Sequence, residues 1–200
     1  MPPTKQASKE QRSGRWKLLL IMAVCAAPLL GSYFAYYVIK PTGRTNYGAL
    51  IDPRSYPIPP LGATTLDGKP TDLGAFRGKW IMLLSATANC GSPCQKTLLA
   101  MRQLRLMQGQ EMERIERVWL ITDGRAPAAV LMREFEGTRV LRVQGPALQA
   151  WLPVEAGGNA ADRLYLIDPR GHLMMRFPKD ADPAKVKNDI ARLLKASAIG

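Results

Sequence analysis

Cys90 and Cys94 are the residues of this chain best suited to chemistry. Gly91, Ser92 and Pro93 separate them. Two thiols at that spacing can close as a disulfide or grip one soft metal ion. Gly91 lets the chain bend between the sulfurs. Pro93 suits the first position of a helix, where its missing N–H is no loss. Cys94 would then fall in the first turn, where unpaired N–H groups and the helix dipole favour an anion. A thiolate there is a better nucleophile and a better ligand. Cys90, in the loop, is expected to be the more exposed sulfur. The residues alone leave open which of the two attacks. No Ser/His/Asp set, catalytic carboxylate pair or glycine-rich phosphate loop competes with this pair, and the single histidine, His172, reads as a solvent-facing turn residue.

The elements around the pair follow from pattern. Trp80–Leu84 is a continuous apolar run, a buried strand leading to the cysteines. Pro93–Gln108 reads as a helix, with Leu98, Met101, Leu104 and Met107 on one face. Arg117–Thr122 and Arg139–Val143 are further strands, separated by a helix over Ala126–Glu136. Pro146–Leu152 is a short helix. Arg163–Ile167 and His172–Phe177 pair across the turn Asp168-Pro169-Arg170-Gly171. Asp182 caps a last helix led by Pro183, with Val186, Ile190, Leu193 and Leu194 inward. Ala63–Leu66 and Pro70–Leu73 flank Asp67-Gly68, a hairpin signal. The order β-β-β-α-β-α-β-α-β-β-α predicts an α/β domain with a central mixed sheet over residues 61–200. Its cysteines lie at the C-terminal end of the first long strand, where open α/β sheets place their sites.

The N-terminal part is different in kind. Residues 1–17 are polar and basic and are expected to be a disordered tail. Leu18–Ile39 runs 22 residues without a charge. As a helix it would be about 33 Å long, enough for a bilayer core of about 30 Å. Trp16 lies at one end and Tyr33, Tyr36 and Tyr37 towards the other, as interface aromatics do. The run is too long, and its end too bulky, for a cleaved signal peptide. Five Lys/Arg precede it, against Lys40 and Arg44 after it. The expected topology is therefore a single pass through the inner (plasma) membrane, N-terminus cytoplasmic and C-terminal domain periplasmic. Cys25, within the span, reads as a small apolar residue. Residues 40–60, with Pro41, Pro53, Pro57, Pro59 and Pro60, read as an extended linker holding the domain off the membrane. The formal net charge of +12 raises the question of nucleic acid. Half of that excess sits in residues 1–44, and the remaining basic residues are scattered without an aromatic-interleaved run or zinc-finger spacing. The expected partners are the membrane and a protein client, not nucleic acid.

Strand, loop, cysteine pair, helix and the closing Tyr165–Gly171 segment, YLIDPRG, resemble the thioredoxin-like fold. The C-x-x-x-C spacing of Cys90 and Cys94, that segment and the single anchor resemble the Sco (SenC) family of cytochrome c oxidase assembly proteins. The resemblance implies a thioredoxin-like domain whose Cys90 and Cys94 carry out thiol-disulfide chemistry on a respiratory oxidase subunit. It also implies copper as a possible cofactor, held as Cu(I) by the same two cysteines. The third copper ligand of the family is a histidine whose place falls near Ala160, and this chain has none there. Two thiolates suit Cu(I), whereas Cu(II) calls for an imidazole as well. A third implication is an assembly factor that keeps the fold without catalysis. Thr87-Ala88-Asn89-Cys90 is also similar to the T-x-x-C of peroxiredoxins, though Leu83 replaces the proline expected before it.

Overall fold

The structure, a computed structural model, describes residues 7–39 and 46–199. The chain divides between Thr45 and Asn46 into two compact units.

The first unit is one helix, α1 (Ala7–Phe34), prolonged by a π-helical stretch over Ala35–Ile39. Within it Arg15–Val38 is long and apolar enough to cross a membrane, as the uncharged run predicts. Pro28 lies inside the helix without ending it. The helix begins well before the apolar run, which corrects the expectation of a disordered tail over residues 7–17. A helix already nucleated gains one hydrogen bond per added residue, and Ala7, Lys9, Glu10, Gln11 and Arg12 are mostly strong helix formers. Residues 1–6, with Lys5, and 40–45, with Pro41 and Arg44, lie outside the described residues.

The second unit is built on seven strands: β1 (Ala49–Leu50), β2 (Thr64–Thr65), β3 (Trp80–Ala86), β4 (Ile115–Ile121), β5 (Thr138–Arg142), β6 (Leu164–Ile167) and β7 (Leu173–Arg176). Four helices complete it: α2 (Ser92–Leu106), α3 (Ala129–Glu134), α4 (Gly145–Trp151) and α5 (Pro183–Ala196). The sheet order is β1-β7-β6-β3-β4-β5-β2. β3, β4 and β5 run parallel and the other pairings are antiparallel, so the sheet is mixed, as predicted. Alternation along β3 sends Trp80, Met82, Leu84 and Ala86 to one face and Ile81 and Leu83 to the other. The first face packs under α2, α3 and α5 through Leu98, Met101, Leu104, Leu131, Phe135, Val186 and Ile190. The second packs against Leu148 and Trp151 of α4 and against Leu61 and Leu73. Met107 lies past the end of α2 and is exposed, so the expected Leu/Met stripe stops at Leu104.

Two short strands differ from the sequence reading. The turn at Asp67-Gly68 forms, with Gly68 at φ +80° and Thr65 N–H donating to Lys69 O at 2.9 Å. Its second arm is not a strand; Leu73–Phe76 is a 3-10 helix capped by Asp72. The two arms still meet at one antiparallel bridge, Thr64 with Pro70, while β2 pairs as a strand with β5. The second change concerns the expected linker. From Asn46 onward it lies on the sheet: β1 pairs with β7, Ile58 N–H donates to Gly171 O at 3.0 Å, and Leu173 N–H to Tyr56 O at 2.9 Å. Proline is compatible with an edge position because its missing donor can face away from the ladder. Apolar Ile51, Tyr56 and Ile58 then gain by packing on the core.

Gly48 anchors this edge. Its N–H donates to the buried carboxylate of Asp189 at 2.8 Å. A Cβ there would sit 2.6 Å from Met175 Sδ and 2.9 Å from Phe177 Cε1. Gly48→Ala should therefore lower stability by about 1–3 kcal/mol, read by thermal or denaturant unfolding of the full chain. On the central strand β6, Tyr165 donates its hydroxyl to Pro153 O at 3.1 Å, and burial pushes its phenol up to about 12 against the opposing pull of Arg176 and Arg163. The folded state therefore holds the neutral phenol, and its advantage is intact below pH 10, the ordinary tyrosine value. That advantage should be lost between about pH 10 and pH 12, and unfolding of Tyr165→Phe should show a shallower decline across that window.

Candidate functional site

β3 delivers the chain to its C-terminal end as a strand buried at all seven positions. Its neighbours β4 and β6 occupy both hydrogen-bonding edges, so the loop after Ala86 must leave over the end of the sheet. Ala88 N–H donates to Asp123 Oδ1 at 3.1 Å, which ties the loop to the residues following β4. Cys90 N–H donates to the backbone carbonyl of Thr87 at 3.1 Å, and Thr87 itself is exposed. Gly91 caps the start of α2 in an extended conformation, and the helix opens at Ser92, one residue before the expected first position of Pro93, which falls second in the first turn.

Cys90 and Cys94 are joined by a disulfide, with Cα atoms 5.1 Å apart. The backbone at Cys90 is left-handed, φ +37°. A residue with a Cβ holds that conformation at a cost of about 1–3 kcal/mol, and here neighbouring bonds enforce it. Gln95 Nε2 donates to Cys90 O at 2.9 Å and Gln95 N–H to Gly91 O at 3.0 Å. The expectation that Cys90 is the more exposed sulfur is overturned: Cys90 is 1% exposed and Cys94 9%. Both sulfurs pack in the apolar cluster with Ala88, and Cys94 in addition lies in the first turn of α2. No acidic residue shares that turn, so nothing there opposes the dipole's attraction for a thiolate. Gln95 and Asp123 are the supporting residues that sequence reasoning missed; only Gln95 left a signal, as a polar residue directly after a cysteine.

A cleft of about 290 Å³ reaches Pro93, next to Cys94 in the chain; Thr97, Leu164 and Val186 line it with the charged Lys96, Asp162, Lys179 and Asp180, and neither cysteine does.

The metal expectation meets a poor donor set. Among the described residues no three His, Cys, Asp or Glu side chains lie close enough to hold an ion together. The short helix Ala160–Asp162 packs near the end of β3, the neighbourhood where the resemblance puts a histidine, and it offers none. His172 sits at the β6–β7 turn, its Nδ1 3.4 Å from Asp168 Oδ1. That turn follows Ile167, the partner of Ile81 near the start of β3, so the imidazole is at the opposite end of the sheet from the cysteines. The residues present do not fit a Cu(II) site, and two sulfurs are all they offer to Cu(I).

Comparison with known proteins agrees with this geometry. Residues 80–197 match the family model described as transmembrane-like, thioredoxin-like, C-terminal domain, and residues 8–38 match its companion, transmembrane-like, N-terminal domain. No curated protein matches the chain in sequence. Among solved structures, yeast Sco1 with copper bound is 17% identical, with a TM-score of 0.55 over 72% of this chain and 91% of that one. Apo Sco1 from Thermus thermophilus is 20% identical, with a TM-score of 0.54 over 78% and 98%. A thiol:disulfide interchange protein from Bacteroides sp. is 17% identical, with a TM-score of 0.51 over 72% and 91%. They share the fold that the Sco resemblance implied.

In the reduced full chain, Cys94 should be alkylated about tenfold faster than Cys90, because it is both more accessible and nearer the dipole. Mass mapping of singly labelled protein checks the order. Asp123→Ala, which frees Ala88 N–H, should cost about 1 kcal/mol and narrow that difference in rate.

Proposed function

The chain belongs to the family of transmembrane-like proteins with a thioredoxin-like C-terminal domain, and from that premise we propose that it is a membrane-anchored thiol-disulfide exchange protein. The observation that carries the reading is the Cys90–Cys94 disulfide at the end of β3, with Cys94 in the first turn of α2. In the reduced pair, the Cys94 thiolate attacks one sulfur of a client disulfide. The client's other sulfur leaves as a thiolate, and a mixed disulfide remains. Cys90, deprotonated, then attacks Cys94 Sγ, the second client sulfur leaves, and the pair closes. Two electrons pass to the client, and a dithiol reductant of the same compartment reopens the pair. The short loop between the sulfurs makes the second attack intramolecular and therefore fast.

The Sco resemblance supports a subunit of a respiratory oxidase as the client, and the charge flanking the span supports a periplasmic domain. The cleft beside Pro93 and Thr97 is the surface against which an extended client segment would lie.

The test is a redox titration of the full chain in detergent, followed by reduction of a client-type disulfide peptide. The intact protein should show one two-electron transition and turn over the peptide with a dithiol donor. Cys94→Ser should lose turnover by more than a hundredfold, and Cys90→Ser should trap the mixed disulfide. A Cys90→Ser, Cys94→Ser double variant that turns over no peptide yet leaves oxidase assembly in cells intact would instead assign a non-catalytic assembly role.

A further inference from the structure

β4 carries one charged side chain on its buried face. Ile115, Trp119 and Ile121 point into the cluster under α2, α3 and α5. By alternation Arg117 stands on the same side, and it is 6% exposed. A guanidinium in that position is costly unless its charge and its donors are answered. Here they are answered in part. Arg117 Nη2 donates to Glu136 O at 2.7 Å, while Nε and Nη1 have no hydrogen-bond partner among the described residues. The adjacent Glu116 is engaged elsewhere, with Lys79 at 2.8 Å and Arg139 at 3.6 Å.

What surrounds Arg117 is more positive charge. It lines a cavity of about 340 Å³ together with Arg102 and Arg105 of α2 and Arg133 of α3. Glu134 and Glu136 also line it, so guanidinium groups outnumber carboxylates two to one. Arg105 is held in place by Ile115 O at 2.9 Å and Glu113 at 3.0 Å, and Arg102 reaches Glu134 O at 3.3 Å. Burial, then Arg105 and Arg102, push the Arg117 pKa below its ordinary value, with Glu116 opposing. Gly137 keeps the wall open: its φ is +78°, and a Cβ would lie 2.9 Å from Arg117 Nη2. Capping of the end of α3 accounts for one bond each from Arg102 and Arg117. It leaves the inner nitrogens of Arg117 without an acceptor.

We propose that this cavity, walled by Arg102, Arg105, Arg117 and Arg133, binds a small oxyanion of the phosphate class, free or carried by a lipid headgroup. Guanidinium groups converging from two helices and a strand suit a tetrahedral dianion with several acceptor oxygens. The site is separate from the disulfide. Arg117 pairs with Met82 in the first half of β3, whereas the cysteines follow its far end, and neither cysteine lines the cavity.

The test uses the full chain in phosphatidylcholine nanodiscs, with thermal unfolding followed as inorganic phosphate is added and sodium chloride at matched ionic strength as the control. Phosphate should raise the midpoint saturably and chloride should not. Arg117→Met should abolish the response, yet be at least as stable as the native chain without phosphate, because an apolar replacement removes the unanswered charge. Arg102→Ala with Arg133→Ala, both at exposed positions, should weaken the apparent affinity by about tenfold. Equal responses to phosphate and chloride, or a phosphate response that survives in Arg117→Met, would overturn the site. Discs containing phosphatidylglycerol separate the sources. Loss of the phosphate response there identifies a headgroup as occupant, an unchanged response a free oxyanion, and either sustains the site.

Discussion

Everything in the second unit depends on β3 being shut in on four sides. Its two faces are covered by separate apolar clusters, and its two edges are bonded to β4 and β6. A strand so enclosed has no freedom in where it ends. The loop after Ala86, the start of α2 and the separation of the two cysteines all inherit that fixed exit. A left-handed Cys90 is tolerable because the loop is clamped from both directions, by Asp123 before it and Gln95 after it. Local backbone strain of this kind persists only where the surroundings over-determine it.

The fold was legible where hydrophobic pattern and turn chemistry agree. The apolar run of β3, the three- and four-residue spacing in α2 and α5, and the Asp182-Pro183 start of α5 all mark elements that form. The cysteine pair was legible from its spacing and its place after a strand. Its burial order was not, because a positive φ at a non-glycine residue leaves no compositional trace. β1 escaped notice because two residues among prolines resemble a spacer, and only the partner strand supplies the hydrogen bonds that make them a strand. The burial of Arg117 left no signal for a related reason. A charged residue opening the run RVWLIT looks like the strand's boundary, yet β4 begins two residues earlier, and that shift puts the guanidinium inside.

The two ends of the same strand pair therefore carry opposite characters. The C-terminal end of β3 presents sulfur and a helix start. The N-terminal half of β4 presents guanidinium groups gathered around a cavity. The solved Sco structures share the scaffold.

The docking of residues 46–60 along β7 also has a meaning for assembly. β7 would otherwise end the sheet with a row of unpaired backbone donors and acceptors, the kind of border on which foreign chains zip up. β1 covers part of that border, and the bridge between Pro57 and His172 extends the cover along it. The stretch that looks like a tether is thus the hem of the sheet: a domain cut free at Leu61 would be left with a sticky selvage, whereas one cut at Asn46 keeps its own guard.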